Sequence, residues 1–269
     1  MDKYNEDEMK EYLSKKLDFI KFLDFDQLSK YNHGHLRYKN NPLRDFTLSE
    51  FSTYNRIFSL YDKCKRGRVL EIGTFIPTIP LGLKKMGYKV VTVEKTEFYG
   101  DTYKPVIKCL EKNNIDFYDL DIIDKAEIKK LGSFDYINLI AVVEHLLGSP
   151  QELFKSIHSL LKKDGKFIFE VPNLASFKRR INFLISGTNP MGNYADYFLS
   201  EYPFEGHHRL MNYNEVLYLF KNTDFEILKF IPFNKKSNSK NSIVKILEIS
   251  QKVFGDKYAD SLLVIAQKK

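Results

Sequence analysis

The chain holds 269 residues, 43% hydrophobic and 29% charged, with a formal charge of +7, and its 22 Phe and 17 Tyr can fill a sizeable core. These figures suit one large domain with an appended subdomain and exclude global disorder. The basic excess is 34 Lys against 8 Arg, dispersed among 35 acids; lysine is the weaker residue for bidentate reading of phosphates or bases, so no nucleic-acid partner is expected.

No apolar run approaches the roughly 20 residues of a membrane helix, so no membrane insertion is expected. The start, Met1-Asp2 followed by Glu6, Asp7 and Glu8, is the opposite of a basic secretory leader, and the only cysteines are Cys64 and Cys109. A reducing, cytoplasmic setting is the simplest expectation.

Over residues 1–48, Tyr12, Leu13, Leu17, Ile20, Phe22 and Leu23 recur at roughly helical spacing, predicting amphipathic helices that form a lid over the next domain. Residues 31–45 read as a polar loop whose His33 and His35 either face a ligand or lie on the surface. A helix over 48–63 carries the stripe Phe51, Tyr54, Ile57, Phe58 and Tyr61. The rhythm then changes. Strands are predicted over 68–72, 88–93, 115–118, 134–142 and 166–171, with helices over 81–86, 103–112, 125–131 and 152–161 between them. This alternation predicts an α/β, doubly wound, parallel sheet with ligand sites at the carboxyl ends of the strands.

Residues 174–214 break the alternation and hold Phe177, Phe183, Tyr194, Tyr197, Phe198 and Tyr202. That stretch is too aromatic for a linker and is read as an inserted helical cap. The remainder, 215–269, opens with a helix over 215–219 and supplies a strand over 225–232, a polar loop over 235–240, a helix over 243–254 and a closing strand over 261–266. Seven strands result. The expected units are thus a lid (1–48), a core (49–173), a cap (174–214) and a C-terminal part (215–269).

The segment Val69-Leu70-Glu71-Ile72-Gly73-Thr74 turns from the first strand into a helix. A glycine there lets a ligand approach the backbone, and the helix start offers unpaired amides. The dinucleotide fingerprint needs further glycines where Phe75 and Pro77 stand, so NAD fits poorly. Glu94 ends the second strand, 21 residues after Gly73, where an acid can accept both ribose hydroxyls.

With Leu70-Glu71-Ile72-Gly73 come Val91-Thr92-Val93-Glu94, Asp119-Leu120-Asp121-Ile122, Phe134-Asp135-Tyr136-Ile137, Val142-Val143-Glu144-His145-Leu146 and Leu160-Leu161-Lys162-Lys163-Asp164-Gly165. In that order and spacing, over about residues 50–173, the chain resembles class I methyltransferases that use S-adenosylmethionine, in a branch acting on small molecules or sugars. The resemblance implies a Rossmann-like, seven-stranded, mostly parallel sheet. It places Glu71, Gly73 and Thr74 at the turn beneath the methionine part of S-adenosylmethionine and Glu94 at its ribose. Asp119 or Asp121 would meet the adenine amino group, with Ile122 beside the ring. Ala141 and Val142 would border the methionine moiety, and Glu144 and His145 would lead to the substrate side. The departure is Phe75 and Pro77 in place of the family's usual second and third glycines. Pro77 or Pro80 can still open a helix, but Phe75 narrows the turn.

Methyl transfer from a sulfonium is an in-line displacement, so alignment matters most, and a hydroxyl acceptor also needs a base. The run Glu205-Gly206-His207-His208-Arg209 resembles a stretch of this branch and offers His207 or His208 as base and Arg209 as orienting cation; His145 is the rival base. Adjacent residues in an extended segment point apart, so His207 and His208 need not share an ion, and no metal site is assigned. His158 sits beside Leu160 and Leu161 and reads as structural. Arg179, Arg180 and Arg209 could meet an anionic acceptor, and Tyr194, Tyr197, Phe198 and Tyr202 could stack on it or pack the cap.

The expected function is an O-methyltransferase, yielding S-adenosylhomocysteine, for a small polar acceptor in surface-carbohydrate (capsular polysaccharide) biosynthesis. Such an acceptor is a sugar, a sugar nucleotide or a phosphoramidate-bearing precursor. The alternatives are a small-molecule N-methyltransferase and a non-catalytic cofactor-binding module, and the expected assembly is a monomer or homodimer.

Overall fold

The computed structural model describes residues 4–39, 47, 51–62, 65–235 and 255–269. The expected helix over 243–254, most of the loop over 235–240, the ends of the helix over 48–63 and Cys64 lie outside the described residues.

The N-terminal part is helical, as its periodicity predicts. Helix α1 (Glu6–Lys16) is capped by Asn5, whose side chain accepts from the amides of Asp7 and Glu8, and it buries Met9 and Leu13. Acids in its first turn and lysines in its last complement the helix dipole. A 3-10 turn over Leu17–Phe22 leads to the short α2 (Phe25–Ser29), capped by Asp24. Where the sequence suggested a loop, a further 3-10 turn runs over His33–Tyr38, closed by bonds such as that from the His35 amide to the Asn32 carbonyl at 2.9 Å. Helix α3 (Phe51–Asp62) comes next.

The strands are β1 (Arg68–Ile72), β2 (Lys89–Glu94), β3 (Asp116–Asp119), β4 (Phe134–Ile140), β5 (Leu161–Pro172), β6 (Phe225–Phe233) and β7 (Ser261–Lys268). They form one seven-stranded sheet in the order β3-β2-β1-β4-β5-β7-β6. The first five run parallel, while β7 is antiparallel to both β5 and β6. The mostly parallel, doubly wound architecture is therefore the expected one. Strand β5 starts at Leu161 rather than 166, because Leu161 pairs with Phe134 across a register shift that absorbs the exposed Lys162, Lys163 and Asp164.

Helices α4 (Thr78–Lys85), α5 (Lys104–Lys112), α6 (Lys125–Ile128), α7 (Gln151–Leu160) and α10 (Tyr213–Lys221) flank the sheet; α8 (Phe177–Ser186) and α9 (Tyr194–Leu199) make the cap. Alternate strand residues point to opposite faces. Val69 and Tyr136 join Leu13, Phe58, Tyr61 and Tyr88 in one core cluster, whereas Leu70 and Ile137 join Phe154, Phe167, Phe169, Phe220 and Phe225 in the other. With both faces covered, β1 reads as a continuous apolar run interrupted only by Glu71.

The cap is thinner than its aromatic content suggested. Helix α8 has no buried residue, and Leu184, Ile185, Tyr194, Phe198 and Tyr202 are exposed, Tyr202 at 94%. What holds the cap is the lid. The amides of Glu201 and Glu205 donate to the carbonyls of Lys30 and Tyr31, both at 2.7 Å. The His33 amide donates to Ser200 Oγ at 2.8 Å, and Arg37 pairs with Asp196 at 2.9 Å. Among the described residues no helix is long and apolar enough to cross a membrane.

Candidate active site

The carboxyl ends of β1, β2 and β4 converge on one edge of the sheet. Gly73 follows β1 with φ +80°, and its amide donates to the Val93 carbonyl at 2.9 Å. A Cβ there would stand 2.3 Å from Val142 Cγ2, so only glycine fits both the backbone and the space. Across this contact Ala141 also adopts a positive φ, +53°, with its amide bonded to the Glu170 carbonyl at 2.9 Å. A left-handed alanine costs free energy and is the kind of strain found at functional sites.

Beneath the turn, Glu71 accepts a hydrogen bond from Asn138 Nδ2 at 2.7 Å, and Asn138 Oδ1 accepts from Tyr61 Oη at 2.6 Å. Burial pushes the Glu71 carboxyl up to about 8, so it is protonated at neutral pH and braces the turn from inside. Thr74 and Thr78 bring hydroxyls that are buried and lack a partner among the described residues. The Thr74 carbonyl accepts from Tyr103 Oη. Unpaired hydroxyls at a helix start fit the polar amino-acid end of S-adenosylmethionine.

At the end of β2, Glu94 Oε1 accepts from the Lys95 amide at 3.0 Å. Burial, together with Asp119 and Glu205, raises its carboxyl to about 8. The two candidates for the adenine amino group differ. Asp119 is engaged by the amide and hydroxyl of Thr96, which fixes the loop after β2. Asp121 accepts from the Ile123 amide at 3.0 Å and lies 3.7 Å from Lys95 Nζ, leaving it the freer of the two. Ile122 packs into the core.

An aromatic wall that motif reading missed closes this edge. His35 stacks on Phe75 at 5.2 Å between centroids, Phe75 meets Tyr99 at 5.5 Å, and Tyr99 stacks on Tyr103 at 5.2 Å. Phe75, the departure from the glycine pattern, is thus partnered by the lid.

On the far side of β4, His145 ends a 3-10 turn over Val143–His145. Its Nδ1 lies 3.1 Å from the Glu205 carbonyl; since a carbonyl only accepts, Nδ1 carries the proton and Nε2 keeps its lone pair. The His207 ring lies edge-on to it at 4.8 Å. Burial lowers the His145 pKa and drives His207 down to about 3, with His145, Arg179, Lys235 and His208 adding to the effect on His207. Both rings are neutral at physiological pH.

The structure separates the neighbouring residues from this pair. The His208 amide bonds to the Glu144 carbonyl at 2.7 Å and its Nε2 donates to the Phe204 carbonyl at 2.7 Å, which ties the ring into the turn. Arg209 reaches Glu215 at 2.7 Å, the residue that closes the capping box of α10. That pairing draws it away from an orienting role. Arg179 is bonded to the Pro190 carbonyl, and Arg180 to the Ala175 carbonyl at 3.1 Å while lying over the Tyr258 ring. His158 packs against Phe225 at 5.5 Å, in keeping with a structural role.

A sequence profile described as a methyltransferase domain matches residues 51–229, well over half of the chain, and the chain belongs to that family. It is an enzyme of the class I, S-adenosylmethionine-dependent kind that the ordered motifs implied. No curated protein sequence matches it. Among solved structures, the PH0226 protein of Pyrococcus horikoshii is similar with a TM-score of 0.54 at 21% identity, covering 82% of this chain and 90% of that one. A methyltransferase of Thermotoga maritima, described as a possible histamine N-methyltransferase, gives 0.55 at 16% identity, covering 87% and 97%. The glycopeptide N-methyltransferase MtfA, solved with S-adenosylhomocysteine, gives 0.53 at 15% identity, covering 80% and 88%. At these identities the likeness is one of fold.

Proposed function

We propose that the protein transfers the methyl group of S-adenosylmethionine to a hydroxyl of a small polar acceptor, with His145 and His207 facing that acceptor. In this reading Gly73, Thr74, Thr78, Ala141 and Val142 line the methionine end, Glu94 accepts the ribose hydroxyls, and Asp121 and Ile122 meet the adenine. The observation that carries the acceptor side is the His145–His207 pair, two neutral imidazoles 4.8 Å apart beyond β4. Such groups hold lone pairs toward an acceptor proton without bringing positive charge near a sulfonium. A sugar, sugar nucleotide or phosphorylated sugar precursor suits a site roofed by the polar and aromatic cap.

N-methylation is the second reading. Its support is the pKa of about 3 at His207, which makes that ring a weak base, whereas an amine delivered uncharged brings its own lone pair. The test is mass-spectrometric product identification after incubating the purified protein with S-adenosylmethionine and matched panels of hydroxylated sugars and amines. An O-methyl ether, with turnover reduced about 100-fold in His145→Ala, supports the first reading. Methylation confined to amines replaces it with the second.

A further inference from the structure

Glu144 is the most enclosed acidic group of the site, 1% exposed, and its Oε2 has no hydrogen-bond partner among the described residues. A buried carboxylate oxygen left unpaired is costly unless a proton or a cation meets it. Two imidazoles stand beside it. One ligand atom from each of Glu144, His145 and His207 lies within 4.8 Å of the others. We propose that these three side chains form a binding site for a single divalent transition-metal ion, with a position left open for an acceptor oxygen. The inference rests on the reading that the His145–His207 pair faces the acceptor.

Three features fit a metal better than a shared proton. First, the donor set is two imidazoles and one carboxylate, the chemistry that zinc, iron(II), manganese or cobalt accepts. Second, His145 donates its Nδ1 proton to the Glu205 carbonyl at 3.1 Å, the outer contact by which metal-ligating histidines are usually oriented. Third, the His207 side chain makes no hydrogen bond among the described residues, so its ring can turn. Ligands at about 2.1 Å from one ion stand about 3.4 Å apart, and rotation of His207 narrows the present span toward that spacing. Arg179 and Lys235 act on both Glu144 and His207. Their charge opposes a cation and sets the affinity below that of closed structural zinc sites.

Motif reading missed this set, because it paired His207 with His208. The turn instead sends His208 to the Phe204 carbonyl and brings His207 to His145. A hydroxyl bound at the open position would lose its proton to solvent more readily. Its oxygen lone pair would then form the bond to the methyl carbon, and the electron pair of the breaking carbon–sulfur bond would return to sulfur.

The test is titration of the full-length, chelator-treated protein with Co²⁺ and Zn²⁺, monitored by ligand-field absorption and calorimetry. Wild type, Glu144→Gln and His207→Ala are compared, with S-adenosylhomocysteine affinity as the check on folding. Expected are one equivalent of ion per chain in the wild type and a loss of affinity of about 10-fold or more in both variants. Wild-type protein that binds no stoichiometric ion overturns the proposal, as does unchanged binding in the more exposed His207→Ala. The readout needs no acceptor. One bound ion in an enzyme that methylates only amines keeps the site and removes the hydroxyl reading; an O-methyltransferase that binds no ion does the reverse.

Discussion

The ring of His35 lies parallel to that of Phe75, 5.2 Å between centroids and 8° between planes. One belongs to the N-terminal lid and the other to the turn after β1, so this stack fastens the lid over the cofactor edge. His35 Nδ1 also donates to the Leu28 carbonyl at 2.9 Å. Removing both contacts in His35→Ala should cost about 1–2 kcal/mol of stability in urea unfolding. It should also weaken S-adenosylhomocysteine binding several-fold by calorimetry, while His35→Phe restores the stack and most of the affinity. An alanine variant with wild-type affinity would separate the lid from the cofactor site.

Glu71→Gln should stabilise the protein increasingly as pH rises. The Glu71 pKa is raised from 4.5 to about 8, so the folded state binds the extra proton between those values. Stability from this group is full below about 4.5 and is lost as pH climbs through 8. Glutamine mimics the protonated form and can still accept from Asn138. The variant's advantage over wild type should grow by roughly 2–4 kcal/mol from pH 5 to pH 8 in denaturant melts. A difference independent of pH would show that Glu71 is ionised in the fold. The histidines act in the opposite direction: His35, His145 and His207 have lowered pKa values, so their contribution is full above about 6.5 and is lost on acidification.

Gly73→Ala should damage folding and cofactor binding together. The substitution places a side chain at φ +80° and 2.3 Å from Val142 Cγ2. A stability loss of about 1–3 kcal/mol is expected. Adding Val142→Ala relieves the clash but not the backbone strain, so the double variant should recover only part of the loss, as thermal melts would reveal.

Arg209→Ala should have little effect. Its guanidinium pairs with Glu215 at the surface, a contact worth under about 1 kcal/mol, and kcat/KM should stay within a few-fold of wild type. A drop of about 100-fold with S-adenosylhomocysteine affinity intact would place Arg209 at the acceptor.

The cofactor half was legible because its signals are local. Strand periodicity, Gly73 after β1 and Glu94 after β2 each emerge from short stretches read in order, and the sheet brings them to one edge. The acceptor half depends on contacts between distant segments. Nothing in the spacing of His35 and Phe75 announces their stack, nor in that of His145 and His207 their approach. Arg209 looked available because Glu215, which claims it, belongs to the next helix. The cap aromatics likewise suggested a packed core, but the cap docks on the lid through Asp196, Ser200 and Glu201 rather than through its rings.

The most direct test of the cofactor edge is calorimetric titration of S-adenosylhomocysteine into wild-type protein and Glu94→Ala. Wild type should bind one equivalent, and loss of the carboxylate that meets the ribose hydroxyls should weaken binding by about 10-fold or more with the fold intact by circular dichroism. Equal affinity in the two proteins would contradict the placement of the cofactor across β1 and β2.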